Sequence, residues 1–215
     1  MGACDMRTEP LDSDVAGARR TRTGRTAPAG SQARDDRRSP TTRVSRSFAF
    51  VDLCGFTDFV DLHGDDAAVA ELRILRAGVR EAAGAAGVRV DKWLGDGVML
   101  VGVEPEPLVT AVIGLQGYHA ARGRLPLRGG VATGPVILLD GDDYVGRAVN
   151  LAARLCDRAE SDQILAAADD PLVLPPGVRA TPATSLDVKG FVRPVAVVAL
   201  AAITSTASAP ERASE

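Results

Sequence analysis

The sequence predicts an α+β domain of the split-βαβ (ferredoxin-like) kind, in which helices flank a mixed central β-sheet. Three observations predict this fold class. The nearly continuous apolar run "SFAFVDLCGF" at 47–56 is typical of a buried strand. Residues 65–87 carry apolar side chains at helical spacing, begin with acids and close at Gly87. Finally, an Asp-Gly step between two apolar runs at 91–100 predicts a β-hairpin.

The remaining elements continue this alternation in the order β-α-β-β-α-β-β-α-β. Strands "VRVDKWL" and "VMLVGV" form the hairpin, and a second helix is predicted at about 106–122. "LRGGVAT" and "PVILLD" predict two strands joined at Gly134. A third helix is predicted at 146–160, followed by a short strand "DQILAAA", a Pro-rich stretch at 168–194 with little helix, and a final strand "VAVVAL".

Length and composition indicate one domain with a tail at each end. Residues 1–46 hold ten Arg against six Asp or Glu and lack periodicity, so they are predicted to be a disordered Arg-rich tail. This tail is either a solubilising extension or a mis-assigned start, or alternatively a docking arm for an acidic partner. The folded domain is predicted at 47–203, and residues 204–215 are predicted to form a second disordered tail.

Charge and hydropathy exclude several classes of function. A net charge of −3 gives no electrostatic basis for binding nucleic acid. The longest apolar run, "VAVVALAAI" at 195–203, is far below the ~20 residues of a membrane span. The N-terminus has no apolar core of a secretory signal, and three Cys without metal-like spacing fit a reducing compartment. The sequence therefore predicts a cytoplasmic protein with no nucleic-acid or membrane partner.

Two carboxylates stand out at strand ends. Asp52 closes the first apolar strand, and burying it unpaired would be costly. Asp96 lies in the hairpin turn, where it is either a turn residue or a metal ligand, and Lys92 beside it is either a solvated strand residue or a substrate contact. Because the two strand elements are successive and separated by one crossover helix, both acids can project at one edge of the sheet. Such a pair suits Mg²⁺ or Mn²⁺, which prefer oxygen ligands.

A second pair lies on the third helix. Asn150 and Arg154 are four residues apart and face the same way, and Arg147 lies on that side too. An exposed Arg is usually a solvated helix residue. Asn, however, is mildly unfavourable in a helix interior, and an amide beside a guanidinium can bind a sugar and a phosphate.

These motifs resemble the catalytic domain of the class III nucleotidyl cyclases over roughly residues 47–200. "FVDLCGFT" at 50–57 is similar to the first metal motif of that family, which implies that Asp52 binds metal. "KWLGDGVM" at 92–99 is similar to its Lys-x-x-Gly-Asp motif, which implies that Lys92 contacts the purine and that Asp96 is the second metal ligand.

The resemblance continues into the second half of the chain. "GGVATGPV" at 129–136 is similar to the family's strand-turn segment, with Ala132 where that family usually has His. "DYVGRAVNLAARL" at 143–155 resembles the signature helix, which implies that Asp143 is the second adenine contact, Asn150 orients the ribose and Arg154 stabilises the phosphate. The short "VKG" at 188–190 implies that Lys189 reaches the triphosphate.

The resemblance implies an adenylate cyclase that converts ATP to cyclic AMP and pyrophosphate, with two divalent cations (Mg²⁺ or Mn²⁺) per site. It also implies a homodimer, because in that family the metal acids and the Asn/Arg pair of one site come from opposite subunits. A catalytically silent nucleotide-binding or dimerisation module and a guanylate cyclase are the alternatives. His63 and His119 match no ligand pattern and are predicted to lie at the surface.

Overall fold

A mixed β-sheet of eight strands runs through the part of the chain described by the computed structural model, residues 43–139 and 143–203. Seven strands follow the order β2-β3-β1-β4-β6-β8-β7, and β5 pairs with β4. The predicted α+β fold class is confirmed. The elements are β1 (Arg43–Leu53), α1 (Phe56–His63), α2 (Asp65–Ala86), β2 (Arg89–Leu94), β3 (Gly97–Gly102), α3 (Pro105–Ala120), β4 (Leu127–Leu139), β5 (Asp143–Val145), α4 (Arg147–Arg158), β6 (Ile164–Ala167), β7 (Val178–Pro182) and β8 (Val197–Ala202).

Strand β1 occupies the centre of the sheet. It pairs antiparallel with β3 on one side and with β4 on the other, so Asp52 lies opposite Gly97 and opposite Arg128. The prediction that the first strand and the hairpin lie side by side is therefore correct. β1 begins at Arg43, before the expected domain start at residue 47. The rest of the predicted N-terminal tail and the tail at 204–215 lie outside the described residues.

Alternating side chains of β1 divide the core into two clusters. Ala49 and Val51 pack in a cluster with the buried residues of α2 and α3, whereas Phe48 packs with those of α4. This alternation is what the two-residue period of a strand requires. Asp52 follows Phe48 in the same alternation, so its side chain lies on the α4 face of the sheet.

The three predicted helices are present as α2, α3 and α4, and Gly87 ends α2 in the left-handed conformation at φ 66°. Helix α1 was missed: the apolar run predicted as a strand to residue 56 ends at Leu53, and α1 begins at Phe56 after Gly55 turns the chain with φ 72°. Among the described residues, no helix combines the length and apolar composition needed to cross a bilayer.

The predicted break at Gly134 was wrong, because β4 is one continuous strand. Pro135 has no backbone N–H, but at its position β4 has a sheet partner on one side only. The pairing of β4 with β6 covers residues 129–131, and its pairing with β5 covers residues 137–139. The strand therefore passes through Gly134 and Pro135 while paired to β1 alone.

The predicted surface position of His119 was also wrong, whereas His63 is exposed as expected. His119 is only 1% exposed, and its Nε2 lies 3.9 Å from a carboxylate oxygen of Glu71. Its ring sits so close to Gly123 that a Cβ there would lie 2.4 Å from Nε2. Burial lowers the pKa of His119, although the Glu71 charge opposes this shift. The histidine belongs to the packing of α2 against α3.

Helix α4 rests directly on β4 at Gly130. A Cβ at that position would lie 2.2 Å from the carbonyl oxygen of Ala152 and 2.3 Å from the amide nitrogen of Cys156, both in the α4 backbone. Only a residue without a side chain allows the helix to approach so closely. Gly130 thereby fixes the height of α4, and of Asn150 and Arg154, above the sheet.

We predict that Gly130→Ala destabilises the domain by about 2 kcal/mol or more, because the helix backbone cannot move away without opening the core. Gly84→Ala in α2 is the matched control: an added Cβ there meets nothing within 4 Å. That change should stabilise the helix by about 0.5–1 kcal/mol. Urea unfolding monitored by circular dichroism measures both values, and equal stability of the two variants would contradict the packing argument.

Candidate active site

Asp52 and Asp96 meet where β1 runs beside the β2–β3 turn. Asp52 lies opposite Gly97, and a Cβ on Gly97 would come within 3.0 Å of Asp52 Oδ1. Gly95 adopts the left-handed conformation that this turn requires, with φ 74°. A residue with a side chain would be disfavoured there. Burial, and next the nearby charge of Asp52, raise the pKa of Asp96. Both acids therefore form one local site of negative charge.

Arg128 is the residue of this site that the sequence did not reveal. Its Nη2 and Nε donate to Asp52 Oδ2 at 2.8 and 3.2 Å, and its Nη1 donates to the carbonyl oxygen of Asp157 at 3.4 Å. This bond to Asp52 is the main reason that the pKa of Arg128 is raised. Arg128 lies opposite Asp52 because of the register between β1 and β4, and no local sequence pattern predicts that register.

The donor set fits hard divalent cations that share their ligands with phosphate groups. Within residues 43–139 and 143–203, no group of three or more His, Cys, Asp or Glu side chains could hold a metal by itself. Two carboxylates are what a cation site completed by substrate oxygens and water needs from the protein. Asp52 and Asp96 are the residues that would hold such cations.

Lys92 and Asp143 form an ion pair through Lys92 Nζ and Asp143 Oδ1. They come from β2 and from the start of β5, so folding joins two residues that are distant in sequence. Both side chains remain about half exposed, at 47% and 56%. Beside them, Arg89 donates to the hydroxyl of Tyr144 at 3.2 Å, which ties β5 to β2. The donor and acceptor predicted to read the base are therefore neighbours.

Asn150, Arg154 and Lys189 line one cleft of about 600 Å³, together with Arg147 and the 190–192 segment. Asn150 and Arg154 project from successive turns of α4, and Lys189 comes from the loop that precedes β8. Arg154 also donates to Asp157 at 3.2 Å on the same helix.

Asp52 lines a smaller cavity of about 160 Å³ with Gly97, Ala153 and Asp157, and neither Asp52 nor Asp96 lines the larger cleft. The two cavities are adjacent, because Ala153 lines both and Asp157 accepts from Arg128, the partner of Asp52, as well as from Arg154.

Solved structures with this architecture are nucleotide cyclases. The adenylyl cyclase CyaB from Pseudomonas aeruginosa aligns with 74% of this chain and 94% of its own, with a TM-score of 0.58 and 26% identity. The guanylate cyclase domain of RhGC from Catenaria anguillulae, in complex with GTP, aligns with 75% of this chain and 98% of its own, with a TM-score of 0.63 and 20% identity. At the latter identity the likeness concerns the fold alone.

Curated relatives are mycobacterial. An uncharacterized protein of Mycobacterium tuberculosis and one of Mycobacterium bovis are each 39% identical over 155 residues, which are 71% of this chain and 40% of each relative. The chain therefore spans well under half of their length. A pH-sensitive adenylate cyclase of M. tuberculosis is 36% identical over 123 residues, which are 55% of this chain and 30% of that protein. No family model matches the chain.

The fold of this chain is that of the class III adenylyl and guanylyl cyclase catalytic domains, which its motifs resemble. Both adenylate and guanylate cyclases have this fold, so the choice of base depends on the site residues.

Proposed function

We propose that this domain is an adenylate cyclase that converts ATP to 3′,5′-cyclic AMP and pyrophosphate in the cytoplasm, as a homodimer with shared sites. In this reaction the 3′-hydroxyl of ATP releases its proton to solvent as its oxygen bonds to the α-phosphorus. The bond between the α-phosphorus and the α–β bridging oxygen breaks, and pyrophosphate leaves. The observation that carries the proposal is the cleft in which Asn150, Arg154 and Lys189 meet, because it combines a ribose-binding amide with two phosphate-binding cations.

Asp52 and Asp96 would hold two divalent cations, Mg²⁺ or Mn²⁺. When bound, such cations lower the pKa of an attacking hydroxyl and neutralise charge on the leaving phosphates. Burial is the main cause of the raised pKa of Asp96 and the charge of Asp52 is the second, and bound cations would offset both effects. Arg128 already offsets part of the charge of Asp52.

Asn150 and Arg154 would act on the reacting atoms. The Asn150 amide can hold the ribose so that its 3′-oxygen lies in line with the bond that breaks. The Arg154 guanidinium would exchange its exposed bond to Asp157 for the α-phosphate and stabilise the charge that develops there. Lys189 would contact the triphosphate from the opposite wall of the cleft.

The absence of Asp52 and Asp96 from the lining of the cleft supports a site shared between two chains. A two-fold symmetric dimer can bring the acids of one chain to the cleft of its partner, and this arrangement creates two equivalent sites. Exposed apolar side chains on the paired strands β4 and β5 offer a surface for such a dimer: Leu139 and Val145, which lie on the same face of this strand pair, are 47% and 52% exposed.

The Lys92–Asp143 pair supports adenine as the base. Lys92 only donates hydrogen bonds and ionised Asp143 only accepts them. Adenine offers an acceptor at N1 and a donor at N6, which match this pair. Guanine presents a donor at N1 and an acceptor at O6, so both contacts would be mismatched.

We predict that Asp52→Asn and Asp96→Asn each lower kcat by about a hundredfold or more, because the amide cannot hold the cation that stabilises the transition state. Glu81→Gln, which changes an exposed carboxylate on α2 in the same way, is the control and should retain full activity. Mn²⁺ binding measured by electron paramagnetic resonance with 3′-deoxy-ATP, which cannot cyclise, gives a second readout. Undiminished Mn²⁺ binding and turnover in either Asn variant would disprove the metal assignment.

Mixing two inactive variants tests the shared site. Asp52→Asn mixed with Arg154→Ala should recover roughly a quarter of wild-type activity, since random pairing gives half heterodimers and each has one intact site. Asp52→Asn mixed with Asp96→Asn is the matched control and should recover nothing, because every site then lacks one acid. Failure of the first mixture, with heterodimers shown by native mass spectrometry, would mean that each site lies within one chain.

We predict that kcat/KM for ATP exceeds that for GTP by about a hundredfold, since guanine would leave two charged groups mismatched. The double change Lys92→Glu with Asp143→Cys should reduce or reverse this preference. Lys92→Glu alone would set two carboxylates against each other, so the paired change is needed. Comparable kcat/KM values for the two nucleotides in the unaltered protein would contradict the assignment of both residues.

A further inference from the structure

Lys189 lies at the tip of a loop in which the Phe191 N–H donates to the carbonyl oxygen of Val188 at 3.0 Å. The loop is closed at its base by the backbone pair of Leu186 and Val195, each donating to the other at 2.9 Å. Val188 is buried, whereas Lys189 itself is exposed, and Gly190 turns the chain with φ 91°. Closure at the base does not by itself hold the tip beside α4, where the cleft is.

Arg147 connects this tip to α4. Its guanidinium carbon lies 5.2 Å from the centre of the Phe191 ring, two residues beyond Lys189. Stacking of a guanidinium on an aromatic ring is attractive and also fixes the plane of the ring. Arg147 is the first residue of α4, one turn before Asn150, and lines the same cleft as Lys189.

Asp170 in turn holds Arg147 to the sheet. One oxygen of Asp170 accepts from Arg147 Nη1 at 3.4 Å, and the other accepts from the backbone N–H of Thr133 in β4 at 2.9 Å. The Asp170 side chain is only 10% exposed. Burial raises its pKa, while the Thr133 N–H and the Arg147 charge lower it, so these two partners favour the charged carboxylate. Asp170 is thus a fixed anchor and not a mobile surface acid.

The three side chains join both ends of the Pro-rich stretch at 168–194, since Asp170 lies near its start and Phe191 near its end. We propose that the Asp170–Arg147–Phe191 clasp positions Lys189 for the triphosphate, with Arg147 acting as a positioning residue. This inference rests on the proposed function for the role of Lys189, but the clasp itself is a property of the chain without nucleotide.

The clasp explains why a stretch with five interrupting prolines and little regular structure can carry a binding residue. Proline restricts the chain but provides no hydrogen-bond donor to fix it in the sheet. Side-chain contacts at its two ends can do so instead. A direct contact of Arg147 with the triphosphate is the competing interpretation, and the two differ in how the effects of mutations combine.

Hydrogen exchange of the protein without nucleotide tests the clasp by itself. Arg147→Ala should increase exchange at residues 188–192 by about tenfold, while exchange in the buried part of α4 stays unchanged. Phe191→Leu leaves the Arg147–Asp170 pair in place and should increase exchange at the same residues. This second variant keeps the test valid where Arg147→Ala disturbs packing more widely. Arg80→Ala, on exposed α2 surface, is the control. Unchanged exchange in both clasp variants would overturn the proposal.

A double-mutant cycle then tests whether Arg147 acts through Lys189. Arg147→Ala and Lys189→Ala should each raise KM for ATP by about tenfold, with kcat within about twofold. The double variant should be no worse than Lys189→Ala alone, because a positioning residue has nothing left to position. A hundredfold increase in the double variant would mean that Arg147 binds the nucleotide independently, and an unchanged KM in either single variant would also overturn the proposal.

The two experiments separate this inference from the proposed function. If the wild-type dimer makes no cyclic AMP from ATP and Mn²⁺, the proposed function fails. Hydrogen exchange then still tests the clasp. The link between the clasp and Lys189 is tested by the same double-mutant cycle, with the Kd of inorganic tripolyphosphate, measured by calorimetry, in place of KM.

Discussion

Pairing of β1 between β3 and β4 is the constraint on which the rest of the structure depends. Its register with β3 places Asp52 beside the turn that holds Asp96, and its register with β4 places Arg128 on the Asp52 carboxylate. A slip of one residue would turn Asp52 to the opposite face of the sheet, among the apolar side chains of α2 and α3. One register thus determines both the core and the acidic site.

The polar groups of the site contribute little to holding the fold together. Lys92 with Asp143 and Arg154 with Asp157 are exposed pairs, and such pairs add at most about 1 kcal/mol each. The stability of the domain comes instead from the two apolar clusters on either side of the sheet. Loss of these ion pairs would therefore not loosen the core that positions the side chains.

Neither Asp52 nor Asp96 lines the cleft that holds Asn150, Arg154 and Lys189, and this cleft is bordered by an irregular segment. Arg147 of α4 bonds to Asp170 near the start of that segment. In the proposed dimer, assembly and the ordering of residues 168–194 would be the two points at which a further part of the protein or a partner most directly changes activity. The backbone contact at Gly130, by contrast, holds α4 rigidly against the sheet.

Local pattern determined a large part of this protein by itself. Helical spacing gave α2, α3 and α4, the Asp-Gly turn gave the β2–β3 hairpin, and motif spacing singled out Asp52, Asp96 and Asn150. Helix α1 was missed although the turn at Gly55 that precedes it is local. The continuity of β4 and the burial of His119 were not predicted, because each depends on neighbours distant in sequence. The same holds for Arg128 and for the Asp170–Arg147–Phe191 clasp. The spacing of apolar residues indicates which face of a helix or strand a side chain occupies. Only the packing of the elements against one another determines which side chains from different elements come into contact.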